Sequence, residues 1–226
     1  MFPFVLEHLD NFLRLHAHRP DVLAACEQIA KDAGHPSLAA WRESCNETCS
    51  QQALPVDLIA TEVRQLMARD VKATGLKTLQ GLIWEQGFTS GQLVAHIYPD
   101  VIPAIERWRG GGIDVRIYSS GSIAAQKLFF GHVQEAGNCL ALFSGHYDTT
   151  VGGKKSSESY QRIAADWGIA AQHLLFVSDI FDELSAAQSA GYQVVASLRP
   201  GNAPMPGPAP LPFPTIDSFS QIEFCE

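Results

Sequence analysis

Between residues 113 and 198 the chain alternates strand-like apolar runs with runs of helical period, and few folds accommodate that order. "IDVRIYSS" (113–120) reads as a strand and "SIAAQKLFFGHVQEAG" as a helix that ends at Gly137. "CLALFSGHYD" reads as a short strand and loop, and "SESYQRIAADWG" as a helix. "HLLFVSDI" reads as a buried strand, "DELSAAQSAG" as a helix and "YQVVASL" as a further strand. Upstream, "PDVIPAIERWRGGG" predicts a short helix closed by three glycines. Such alternation implies an α/β fold built on a parallel sheet. In sheets of this kind ligands collect outside the carboxyl ends of the strands.

The first 96 residues have a different period. Phe4, Val5, Leu9, Phe12 and Leu13 recur at helical spacing. So do Val22, Leu23, Cys26, Ile29 and Ala30, and again Leu58, Ile59, Val63, Leu66 and Met67. Asp21 follows a proline and is expected to cap the second helix. "HPS" at 35–37 and "LPVD" at 54–57 punctuate the pattern, and no segment here reads as a strand. The expected organisation is a helical domain over 1–96 and an α/β core over 97–226. Seven of the thirteen prolines fall between Pro200 and Pro214, which predicts an extended surface loop before a short last element, "TIDSFSQI".

Composition excludes several classes of function. The net charge of −8, without a Lys/Arg run, argues against nucleic-acid binding. No apolar stretch reaches the ~18 residues that a membrane-spanning helix needs. The N-terminus carries acids early and lacks a basic lead, unlike a secretory signal. Five cysteines at irregular spacing (Cys26, Cys45, Cys49, Cys139, Cys225) suit reduced thiols in the cytoplasm better than a disulfide framework. Cys45 and Cys49 are four apart, but no second pair or nearby histidine completes a metal site.

The strand ends carry the chemistry. Ser119 and Ser120, with Gly121 and Ser122, stand between a strand and a helix, where hydroxyls and free N–H groups suit an anion; serines there also serve simply as helix caps. Lys154 and Lys155 follow a glycine pair and precede a helix, placed either to neutralise a phosphoryl group or to be solvated. Asp179 ends an apolar strand, with Asp182 and Glu183 after it. A carboxylate there suits Mg²⁺, while acids in a first helical turn also answer the macrodipole. Asp179 and Glu183, four apart, are expected on one side of a turn. Together, a hydroxyl turn, a lysine and an acid at successive element ends supply most of what phosphoryl transfer through an aspartyl phosphate needs.

In this order the motifs resemble the haloacid dehalogenase-like superfamily and, within it, the enolase-phosphatase (acireductone synthase) family. The phrases that carry the resemblance are "LKTLQGLIWEQGF", "YPDVIPAIERW", "IYSSGSIAAQKLFFGH", "SGHYDTTVGGKKSSESYQRIA", "LFVSDIFDELSAAQSAGY" and "LRPGNAP". The resemblance implies a Rossmann-like core with an N-terminal helical cap that closes over substrate. It implies that Ser119, Ser120 and Lys154 bind the substrate phosphate and that Asp179 ligates Mg²⁺. It also implies a reaction in methionine salvage, in which 2,3-diketo-5-methylthiopentyl-1-phosphate is enolised and then dephosphorylated to the acireductone. Leu82 stands where the family has a histidine in "LQGHIW". Other readings are another Mg²⁺-dependent phosphatase or a dehalogenase of the superfamily, against which Asp179 speaks, and a protein that binds a phosphorylated metabolite without turning it over.

The family opens with a strand ending in D-x-E-G-T, whose first Asp is the nucleophile and a metal ligand. That motif occurs nowhere in the 226 residues, and Asp148-Thr149-Thr150 belongs to a later family phrase. No catalytic nucleophile is therefore assigned. A core lacking its first strand is expected, either because the chain is a shortened version of a complete, monomeric enzyme or because the nucleophile has been lost. The first is preferred, because Ser119, Ser120, Lys154 and Asp179 are all retained. An acid–base pair for enolisation is expected in the cap, where Glu62, Arg64, Lys72, Lys77 and Glu85 are unranked candidates. His96 and His132 are read as structural.

Overall fold

The computed structural model describes residues 1–44, 55–206 and 211–224. Cys45, Cys49, Cys225, the start of "LPVD" and part of the proline-rich run lie outside the described residues. The chain divides into two compact units, Met1–Val94 and Ala95–Glu226.

Unit one is helical throughout its described residues: α1 (Phe2–His16), α2 (Pro20–Asp32), α3 (Leu38–Ser44), α4 (Val56–Ala68) and α5 (Thr74–Thr89). The stripes expected from sequence face inward. Val5, Leu9, Phe12 and Leu13 of α1 are buried, as are Val22, Cys26 and Ile29 of α2 and Ile59, Val63 and Leu66 of α4. Each fully buried aliphatic side chain is worth about 1.5–3 kcal/mol. Leu23 departs from the pattern and is exposed. α5 buries residues all round, including Leu79, Ile83, Trp84 and Phe88, as the central helix of a unit must. It approaches α2 closely at Gly75, where a Cβ would meet the Ile29 backbone nitrogen. Asp32 of α2 accepts from the Gly75 N–H at 2.7 Å and so satisfies a donor in the first turn of α5. Asp21 is not the cap of α2. Arg19 holds that position, and Asp21 lies in the first turn, bonded to the Arg19 guanidinium. That hydrogen bond holds its carboxyl below the usual carboxylate range.

Unit two alternates helix and strand: α6 (Val101–Gly110), β1 (Arg116–Tyr118), α7 (Ile123–Gly131), β2 (Gly145–Tyr147), α8 (Ser157–Trp167), β3 (Leu175–Ser178), α9 (Phe181–Ser189), β4 (Gln193–Ser197) and β5 (Thr215–Ile216). Every pairing between these strands is parallel, but the described strands form two sheets rather than one, β1–β2 and β3–β4–β5. Between β1 and β3 lies a cavity of about 260 Å³ lined by residues of both, with Trp108, Phe143, Tyr160 and Trp167 among its walls. The apolar run "HLLFVSDI" predicts a buried strand. Leu175–Ser178 is only half-buried, because β3 is a sheet edge beside that cavity. The main core lies under α8, α9 and β4 and includes Tyr160, Leu184, Tyr192 and Val194.

Two boundaries differ from the sequence reading. α7 ends at Gly131, not Gly137. His132–Gly137 instead forms a turn in which Val133 bridges both Ala95 and Gly137, with Gly137 at φ 66°. "CLALFSGHYD" opens with a 3-10 turn, Leu140–Leu142, before β2. The described part of the proline-rich run is irregular, as expected, but it is anchored: Phe213 is buried and the Pro214 carbonyl accepts from Ala196 N–H at 2.8 Å. Arg199, just past β4, ties this end of the unit to α6. It pairs with Asp100 at 2.5 Å and stacks over Tyr98 and Phe219. No described helix is long and apolar enough to cross a membrane.

Candidate active site

The site is built from the turns that follow β1 and β3 and the loop that precedes α8. After β1, Ser119 donates its N–H to Tyr147 O at 3.1 Å, extending the β1–β2 ladder by one residue. Its Oγ accepts from Gly121 N–H at 3.1 Å, which closes a tight turn. Ser120 is exposed at the tip. The capping role that sequence allowed to any of these serines belongs to Ser122, whose Oγ accepts from Ala125 N–H at 3.2 Å. Gln126, buried in α7, braces the turn by donating to Gly121 O and Tyr147 O at 2.9 and 2.8 Å.

An anion already stands at the start of α7. The Asp148 carboxylate accepts from Ile123 N–H at 3.1 Å and from Thr150 N–H at 2.9 Å. It therefore satisfies a helix N-terminal donor that sequence reasoning had offered to a ligand.

Lys154 joins the ends of the two sheets. Its Nζ lies 5.9 Å from the ring centres of both Tyr118 on β1 and Phe176 on β3. It pairs at 2.6 Å with Glu183 of α9, and both side chains are largely buried. Ser178, the last residue of β3, donates to the same Glu183 oxygen at 2.8 Å. The ammonium keeps two further donors for another acceptor. Lys155 is exposed and pairs with Asp182 at 2.8 Å, which is the solvated role.

Asp179 and Glu183, expected on one side of a turn, have different partners. Glu183 turns to Lys154 and Ser178, whereas Asp179 is exposed at the carboxyl end of β3. No group of three or more His, Cys, Asp or Glu side chains among the described residues is placed to hold a metal ion. A single carboxylate at Asp179 fits Mg²⁺ only in the manner usual for that ion, with substrate oxygens and water completing the shell.

Sequence reasoning overlooked Glu183 as the counter-ion of Lys154, Asp148 at the helix start and Gln126 as a brace. A half-buried lysine needs an acid, and packing, not the local sequence, selects Glu183 from among Asp179, Asp182 and Glu183. His132 Nδ1 lies 2.9 Å from Leu128 O, one turn back on α7. In unit one, Arg64 pairs with Asp10 and Lys72 with Asp70 on exposed surface. Leu82 is half-buried on α5.

Comparison with known proteins agrees with this architecture. Residues 16–191 match the haloacid dehalogenase-like hydrolase family model. Enolase-phosphatase E1 of Drosophila mojavensis is 47% identical over 223 residues, covering 99% of this chain and 87% of that protein. Enolase-phosphatase E1 of Pseudomonas fluorescens is 40% identical over 223 residues, covering 99% and 88%. The crystal structure of the UTR4 protein of Saccharomyces cerevisiae superposes with a TM-score of 0.77 at 29% identity, covering 98% of this chain and 90% of that one. The chain belongs to the haloacid dehalogenase-like hydrolase family and, within it, to the enolase-phosphatases.

Proposed function

We propose that the turn Ser119–Gly121 and Lys154 bind the phosphate of a small metabolite in the cytoplasm, and that the reaction served is that of the enolase-phosphatases. The substrate in this reading is 2,3-diketo-5-methylthiopentyl-1-phosphate, enolised and then dephosphorylated. The observation that carries it is Lys154, held by its pair with Glu183 over the rings of Phe176 on β3 and of Tyr118, the residue before Ser119. Its remaining donors neutralise phosphoryl oxygens, and the Ser119 and Ser120 hydroxyls orient them. Asp179 is the proposed Mg²⁺ ligand. Bound there, the ion would neutralise charge on the phosphoryl group. The helical unit is the proposed cap, and Glu62, Arg64, Lys72, Lys77 and Glu85 remain its enolisation candidates.

Formation of an aspartyl phosphate needs a nucleophilic carboxylate, and the 226 residues contain no D-x-E-G-T. Asp148 is engaged with Ile123 and Thr150, so it does not take that role. The purified polypeptide is therefore expected to bind inorganic phosphate without releasing phosphate from phosphomonoesters. Titration calorimetry with phosphate should give binding that Lys154→Met and Ser119→Ala each weaken about tenfold or more. Unchanged affinity in both variants sinks the assignment. Mg²⁺-dependent phosphate release by the unmodified chain overturns the expected lack of turnover.

A further inference from the structure

The loop that carries Lys154 is held by its carbonyls. Four consecutive carbonyl oxygens each accept from a different side chain. Arg162 donates to Val151 O at 2.9 Å, Tyr118 to Gly152 O at 2.8 Å, Ser159 to Gly153 O at 2.8 Å and Tyr160 to Lys154 O at 2.7 Å. Three of the donors lie on α8 and one on β1, so the clamp fixes the loop to a helix and a strand together. Gly152 has φ 139°, and a Cβ there would run into Ser159 Oγ, so the close approach requires glycine.

Tyr160 and Ser159 are the most buried members of this clamp. Tyr160 reaches furthest into its surroundings. It is 1% exposed, its ring packs edge-on against Tyr118 and Phe176, and its own carbonyl accepts from Tyr192 Oη at 2.9 Å. Those two rings are the ones beneath the Lys154 ammonium. One residue thus fixes both the main chain of Lys154 and the surface on which its side chain rests. Packing alone does not require a hydroxyl at the end of this ring, since a phenylalanine would fill the same volume.

We propose that Tyr160 is a positioning residue, whose hydroxyl sets the Lys154 ammonium against Glu183 and toward a bound phosphate. The phosphate half of this statement rests on the proposed function; the lysine half does not. Tyr160→Phe keeps the ring and removes one hydrogen bond. Loss of one such bond corresponds to about a five-fold weakening of phosphate binding. Two readouts are taken on the full chain with inorganic phosphate as the probe. One is calorimetric affinity. The other is the ¹³Cε–¹H resonance of Lys154, assigned by its loss in Lys154→Arg.

The expected result is a moved or broadened Lys154 resonance in Tyr160→Phe and about five-fold weaker phosphate binding, with an unchanged circular dichroism spectrum. Tyr192→Phe, one step further from the lysine, should produce a smaller change. If the unmodified chain binds no phosphate, the functional reading fails, and the Lys154 resonance still decides the positioning role. An unshifted, equally sharp resonance in Tyr160→Phe overturns the proposal. So does an equal effect of Tyr160→Phe and Tyr192→Phe on the resonance, which would mark general loosening of the core.

Discussion

At the scale of the residue, the Lys154–Glu183 pair decides what the site tolerates. Both side chains are largely buried, at 20% and 11% exposure. Removing one partner of such a pair leaves the other charge desolvated and unopposed, which typically costs about 3–5 kcal/mol. Lys154→Met should therefore destabilise the chain, by about 2–3 kcal/mol, because Ser178 still donates to Glu183. Lys154→Met combined with Glu183→Gln should recover most of that loss, because no buried charge remains. Urea denaturation of the single and double variants measures both values, and a double variant no more stable than Lys154→Met contradicts the pairing. Ser119 and Asp179 could be selected in the sequence because each follows a recognisable apolar strand, and Lys154 because it stands between a glycine pair and a helix. The partner of Lys154 could not, because it lies 29 positions away on another helix, and only packing shows which of three neighbouring acids turns inward.

At the scale of the element, the connection between α6 and the end of the chain depends on Asp100. Burial opposes its charge, but bonds from Arg199, Phe219 N–H and Ser218 outweigh that and hold its pKa at about 2. A carboxylate more acidic in the folded than in the unfolded state stabilises the fold above its unfolded pKa, near 4. That stability is lost as pH falls from about 4 to about 2. The contribution is on the order of 1–2 kcal/mol. Asp100→Asn should lower stability by about that amount at neutral pH and flatten the acid limb of the stability curve. Urea midpoints between about pH 2 and 6 test this, and parallel curves for the two proteins would contradict it. Helix existence and type were readable here because the 3.6-residue period is strong in α1, α2, α4 and α6. The end of α7 was not, because Val133 leaves the helix for a bridge to Ala95, a contact 38 positions distant that no local pattern encodes.

At the scale of the molecule, the divided sheet has the largest consequence. The alternation of apolar strands and helices correctly implied parallel pairing, but not which strands would lack a neighbour. In the β1–β2 ladder Ser119 N–H bonds Tyr147 O, and in β3–β4 Gln193 N–H bonds Leu174 O. Parallel pairing alternates, so the N–H and C=O groups of Arg116 and Tyr118, and of Leu175 and Val177, turn away from their ladders. Residues of both strands line the cavity, whose walls are mostly aromatic and aliphatic. Strand edges beside apolar surface invite pairing with another chain. The purified chain is therefore expected to self-associate or to be poorly soluble, with its apparent mass rising over micromolar concentrations. Hydrogen exchange provides the residue-level check. In dilute solution the Arg116, Tyr118, Leu175 and Val177 amides should exchange fast, while those of Val195, which faces β3, and Ala196, which bonds Pro214 O, should be protected. Raising the concentration should slow the first group selectively, because association through these edges supplies the missing acceptors. A monodisperse monomer at high concentration, with those four amides already protected, would contradict the open edges as the source of association.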